Sequence, residues 1–120
     1  MPAVNSYRDL EVWQRAVGLV EACYALTASL PYREQFILGT QIRRAAVSIP
    51  ANIAEGQQRP RRAYLNHLTI ALGSLAELET HLEVARRLSL FKDSALADTN
   101  RLTQSVGQFL HALVRSLQRS

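Results

Sequence analysis

Five arginines, Arg43, Arg44, Arg59, Arg61 and Arg62, fall within twenty residues and are opposed in that stretch by Glu55 alone. Guanidinium groups are planar, permanently charged and bidentate, so they suit phosphate better than lysine does. Arg59, Arg61 and Arg62 stand where a helix is expected to begin, and backbone amides at such a start already attract anions. Tyr64 follows Arg61 by one turn and is placed to stack on a base. Candidate phosphate contacts are therefore Arg43, Arg44, Arg59, Arg61 and Arg62. Two plainer accounts compete. Surface charge is usually just solvated. The whole chain also holds thirteen Arg to one Lys, Lys92, a bias that a GC-rich gene would produce without any function.

A second pattern overlaps the first. Gln41, Arg44, Ser48, Asn52 and Glu55 are spaced 3, 4, 4 and 3, so they share one helix face. The residues between them include Ala45, Ala46, Ala51 and Ala54, small enough for close helix approach. The row is either a solvated face or a polar seam that fixes register between helices or subunits. Gln41, Ser48, Asn52 and Glu55, with Ser74 and Glu77, are the candidate polar contacts.

Catalytic and metal chemistry find little support. A di-iron bundle needs Glu-x-x-His on two helices. Three residues after Glu11, Glu21, Glu34, Glu55, Glu77, Glu79 and Glu83 come Gln14, Tyr24, Ile37, Gln58, Thr80, Leu82 and Arg86. His-Glu-x-x-His is absent. Glu77 and His81 share a face but read better as a hydrogen bond than as a ligand pair. Cys23 is the one cysteine, so no intrachain disulfide or zinc ribbon forms, and it reads as a small buried hydrophobe. No Gly-x-Ser-x-Gly or phosphate-binding glycine loop occurs. His67, His81 and His111 have no sequence neighbour that argues for a general base. We expect neither an enzyme, a metal nor a cofactor.

The bulk composition sets the frame. The chain has 120 residues, 48% of them hydrophobic, with a net charge of +4 and a pI near 9.8. That suits one domain over residues 1–120 with a real core. No apolar signal segment opens the chain and no run of 18 apolar residues occurs. A cytoplasmic location without a membrane is expected, and the lone cysteine suits a reducing compartment.

Four helical stretches must position these residues. In the first, about 7–29, Leu10, Trp13, Val17, Val20 and Tyr24 recur at spacings of 3, 4, 3 and 4, an apolar stripe. Pro31 ends it. In the second, about 32–56, Leu38, Ile42, Ala45, Ile49 and Ile53 form the stripe. Pro50 removes one backbone hydrogen bond and should kink the helix without breaking it. Gly56 is the expected stop, and 56–62 reads as a turn. The third, about 61–88, carries Leu68, Ala71, Leu75, Leu78, Leu82 and Ala85. Asp93 or Ser94 can cap the fourth, which runs to about Leu117 on Leu102, Val106, Phe109 and Leu113. No stretch alternates with period two. Short connections between long helices predict an all-α, antiparallel, left-handed up-down-up-down four-helix bundle.

The runs Gln41 to Gly56 (QIRRAAVSIPANIAEG), Ile70 to Thr80 (IALGSLAELET) and Asp9 to Pro31 resemble the bacterial four-helix-bundle proteins encoded in intervening sequences of large-subunit ribosomal RNA genes. The resemblance covers nearly the whole chain, with the fourth helix matched only in pattern. It implies an antiparallel bundle assembled as a ring-like homopentamer. The family is also similar to the accessory protein of diversity-generating retroelements, a basic pentameric barrel that binds nucleic acid and a reverse transcriptase. The leading expectation is a non-enzymatic oligomeric protein that binds RNA or DNA through its arginines. The rival is a protein–protein adaptor or scaffold, whose arginines make subunit salt bridges or solubilise the assembly.

Overall fold

The structure is a computed structural model that describes residues 6–119. A 3-10 turn, Tyr7–Asp9, opens it, with the Ser6 hydroxyl accepting from the Arg8 amide. Five helices follow: α1 Glu11–Thr27, α2 Tyr32–Phe36, α3 Leu38–Gln57, α4 Arg61–Arg87 and α5 Asp93–Arg119. The four long ones make a four-helix bundle. At 1.5 Å per residue, α4 and α5 are each about 40 Å long, close to the 46 Å long axis of the molecule.

The helix order around the bundle follows the chain: α1 packs on α3, α3 on α4, α4 on α5, and α5 closes against α1. Side-chain contacts give the directions. Ser48 meets Ser74 and Asn52 meets His67, so α3 and α4 run antiparallel. Arg61 at the start of α4 reaches the Leu117 carbonyl near the end of α5. Arg15, early in α1, reaches Ser105 at the middle of α5, while Ala25 and Leu26 at the end of α1 border Ala95 and Asp98 at the start of α5. No described helix is long and apolar enough to cross a membrane.

Several expectations need correction. The second predicted helix is two. The chain leaves helical geometry at Ile37, with φ −101° and ψ −87°, and α2 turns aside before α3 begins. The break brings the backbone of Gly39 against the α1–α2 connection, where an added Cβ would lie 3.3 Å from the Leu30 side chain and the Glu34 carbonyl. Gly56 is not the helix stop, since α3 continues to Gln57 and is capped by Gln58. In α1 the buried stripe is Val12, Ala16, Leu19, Cys23 and Leu26, one position off the predicted one. Leu10, Trp13 and Val20 flank the core, and Tyr24 is half exposed. The apolar arc of α1 is wide enough for two adjacent stripes, and the position of its neighbours chooses between them.

In α5 the buried positions are Leu96, Thr99, Thr103, Val106 and Leu110, so of the predicted stripe only Val106 is enclosed and Leu102, Phe109 and Leu113 flank the core. In α3 and α4 the periodicity holds. Ile42, Ile49, Ile53, Leu68, Leu78, Leu82, Val106 and Leu110 are fully enclosed. Burying each such side chain contributes about 1.5–3 kcal/mol. The helix α3 runs unbroken through Pro50, which is itself buried.

Candidate nucleic-acid interface

The turn between α3 and α4 is short because Pro60, with ψ 157°, sits just before α4. A proline there costs the helix nothing, since that amide has no partner in the first turn anyway. The turn sets Arg59, Arg61 and Arg62 on the surface at one end of the bundle. Arg59 lies 3.6 Å from Glu55, one turn back along the chain. Arg61 donates Nη1–H to the Leu117 carbonyl at 3.2 Å. Arg62 is exposed and has no hydrogen-bond or ion-pair partner among the described residues.

Arg43 and Arg44 do not join them. Arg44 lies thirteen positions before Gln57, about 20 Å along α3. Arg43 is also turned to structural work. Its Nη2 donates to the Gln35 carbonyl at 2.8 Å, and its guanidinium lies 5.8 Å from the Tyr24 ring centre. The Gln35 side chain in turn donates to the Ala28 and Leu30 carbonyls, both at 3.1 Å. Arg43 thus holds α2 across the end of the bundle. Arg44 is exposed and borders a shallow groove with Tyr24, Thr40 and Val47. The five arginines that cluster in sequence divide between opposite ends of α3.

The polar row divides as well. Its middle is a seam between α3 and α4. Asn52 donates Nδ2–H to the Ser48 carbonyl at 2.8 Å and to the Ser48 hydroxyl at 3.1 Å. The Ser48 hydroxyl is 2.8 Å from that of Ser74. The amide nitrogen of Asn52 is thereby the donor end, so its Oδ1 accepts from His67 Nδ1–H at 3.1 Å. The network assigns the neutral His67 ring its Nδ1–H tautomer. The ends of the row face water: Gln41 and Glu55 are exposed. Glu77 is exposed too, 3.4 Å from His81 on its own helix.

Two residues of this region have a role that their sequence context did not suggest. His67 completes the seam, and its spacing of seven from Ser74 on α4 was the available signal. Gly56 lies against it: an added Cβ would stand 2.7 Å from the His67 Cβ. Tyr64 does not offer a stacking face as expected. Its side chain packs against the core, its hydroxyl is enclosed without a hydrogen-bond partner, and burial raises its pKa above the ordinary phenol value.

Acid–base and metal chemistry are weakly provided for. Among the described residues, no three His, Cys, Asp or Glu gather where they could hold a metal ion. Burial pushes the Cys23 thiol up to about 12, so it is protonated at neutral pH and unfit as a nucleophile. What the surface offers a ligand is fixed positive charge.

No curated protein shows significant similarity to the sequence. The crystal structure of a protein of unknown function from the S23 ribosomal protein family of Bacteroides thetaiotaomicron VPI-5482 is similar in fold, with a TM-score of 0.81 and 25% identity. The match covers 87% of this chain and 95% of that one. A family model described as 23S rRNA-intervening sequence protein matches residues 8–112. With the bundle and nearly the whole chain accounted for, this protein belongs to the 23S rRNA-intervening sequence protein family.

Proposed function

We propose that this protein is a non-enzymatic, oligomeric binding protein that holds nucleic acid, RNA foremost, on the arginine surface at the α3–α4 end. The observation that carries the proposal is the exposed trio Arg59, Arg61 and Arg62, of which Arg62 has no counter-charge among the described residues. Arg43 and Arg44 stand outside that surface. Fluorescence anisotropy of labelled structured RNA and duplex DNA tests it. Binding should weaken steeply with salt, because each neutralised phosphate contributes about −0.9 to the log–log slope on duplex DNA. Affinity indifferent to both salt and the R59A/R62A change rejects it.

Assembly from several copies, five by family resemblance, is part of the proposal. On α4, Ile70, Gly73, Glu77 and Val84 are exposed and share the outer face. A glycine within a helix costs about 0.5–1 kcal/mol relative to alanine, yet an added Cβ at Gly73 would meet nothing within 4 Å. A neighbouring helix approaching closely supplies a reason for it. A light-scattering mass that stays monomeric at micromolar concentration counts against assembly.

One feature favours the adaptor reading. Tyr32 is 81% exposed, Phe36 65% and Ile37 56%, all at the end of the bundle away from Arg59 to Arg62. Exposed aromatic side chains of this kind serve protein contacts. If nucleic acid fails to bind at low salt, this tip becomes the surface to probe by pull-down.

A further inference from the structure

The contact between Arg61 and the Leu117 carbonyl joins two segments that lie more than fifty residues apart in sequence. It sets the last turn of α5 beside the first turn of α4. Arg115 and Arg119 flank Leu117 by two residues on either side, which is a rise of about 3 Å each way. With His111 they recur every four residues, so they share one stripe of α5, and all three are exposed. Residues 59–62 and 115–119 therefore form one basic surface at this end of the bundle.

Three of its arginines go unpaired among the described residues, as Arg33, Arg44 and Lys92 do toward the other end, while Arg59 pairs with Glu55. At the far end Arg86 and Arg87 both bind Glu83, at 2.7 and 2.9 Å. Arg62, Arg115 and Arg119 have no ion-pair partner among the described residues. Glu79 borders the same groove as His111 and Arg115 but forms no ion pair with Arg115. Like charges gathered without counter-ions repel one another, and a polyanion relieves that repulsion.

Among the described residues the surface also lacks a free aromatic platform. Tyr64 is committed to the core. Tyr7 and Trp13 pack edge to face at 5.2 Å, and Arg8 lies over both rings. The most exposed aromatic side chains, Tyr24, Tyr32 and Phe36, belong to the other end. Proteins that hold single strands combine charge with stacking faces; on this surface the arginines have no exposed ring beside them among the described residues, whereas at the other end Tyr24 shares a groove with Arg44.

We infer that Arg115 and Arg119 complete the phosphate-binding surface begun by Arg59 and Arg62, and that it takes the backbone of a double-stranded nucleic acid without reading or stacking its bases. This rests on the nucleic-acid reading above. Arg61 is the positioning residue, spending one donor on Leu117 to hold the two segments together. The bundle is 22 by 20 Å in cross-section, wide enough for arginines on two helices to reach phosphates across the major groove of duplex DNA, roughly 12 Å.

The test is anisotropy over a salt series with a 20-base-pair duplex and an oligo-dT strand of equal length. It compares the wild type with R115A/R119A, R59A/R62A and the far-end control R86A/R87A, after circular dichroism and light scattering confirm fold and mass. R115A/R119A should flatten the duplex slope by about 1.8, two phosphates at about 0.9 each, and R86A/R87A should leave it unchanged. The duplex should bind more tightly than the single strand. If R59A/R62A flattens the slope but R115A/R119A does not, the α5 arginines are not part of the site and this inference fails alone. Equal or tighter oligo-dT binding overturns the duplex assignment, and an equal effect of R86A/R87A overturns the localisation. No wild-type binding to either probe removes the nucleic-acid reading itself.

Discussion

Gly56, in the last turn of α3, lies so close to His67 of α4 that a methyl group added to it would stand 2.7 Å from the His67 Cβ. The closeness lets the ring reach Asn52 one turn back along α3. Two effects of opposite sign meet in G56A. Alanine gains about 1 kcal/mol of helix propensity, while forcing an atom into a packed contact costs about 1–3 kcal/mol. The clash is with a Cβ, which cannot swing aside, so the overpacking term should win. Urea unfolding is expected to show a lower midpoint for G56A. G18A, which meets nothing within 4 Å, is expected to raise it.

Asn52 is the hub of the seam, bonded to Ser48 and His67. N52A leaves partly buried donors and acceptors without partners, at a cost of about 1–3 kcal/mol. The same change frees the histidine tautomer. Long-range proton–nitrogen spectra should place the neutral His67 proton on Nδ1 in the wild type and shift it toward Nε2 in N52A. A wild-type ring already protonated on Nε2 contradicts the network.

Arg43 tests the separation of structural from binding arginines. R43A removes a charged hydrogen bond to the Gln35 carbonyl, worth about 1.5–3 kcal/mol at such a site, so the melting temperature should fall. The salt dependence of nucleic-acid binding should not change. A flattened slope in R43A would restore it to the phosphate surface.

Glu83 gives an acid-limb prediction. Hydrogen bonds from Arg86 and then Arg87 hold its carboxyl down to about 2, from an ordinary value of 4.5. A carboxylate depressed in the folded state stabilises above its unfolded pKa and loses that contribution as pH falls through the folded one. The melting-temperature gap between wild type and E83Q should be constant above pH 5 and close between about 4.5 and 2. The gap should be small, because the group is exposed and screened by solvent. A gap that widens on acidification would show that the pairing is not formed.

The fold was legible because helix periodicity is local. Leu68, Ala71, Leu75, Leu78, Leu82 and Ala85 repeat every three or four residues, and all are buried. The α1 stripe failed for a related reason: Val12 and Trp13, or Ala16 and Val17, give equally good spacings, and burial is a property of the neighbouring helices. The α2–α3 break at Ile37 has only Gly39, two residues on, to announce it. In the polar row, spacing put Ser48 and Asn52 on one face, but a face does not state what it meets.

By itself the sequence determined the helical class, the long third and fourth helices, the basic character and the family. Those depend on composition and on periods of a few residues, which act within one segment of chain. Only the tertiary structure decided which arginines belong together. Helix rise alone keeps Arg43 about 20 Å from the turn that holds Arg59, but it was antiparallel packing that brought Leu117, in the last turn of α5, beside Arg61 at the start of α4. Long-range pairing of this kind arises from which helix faces bury against each other, and no local spacing encodes it.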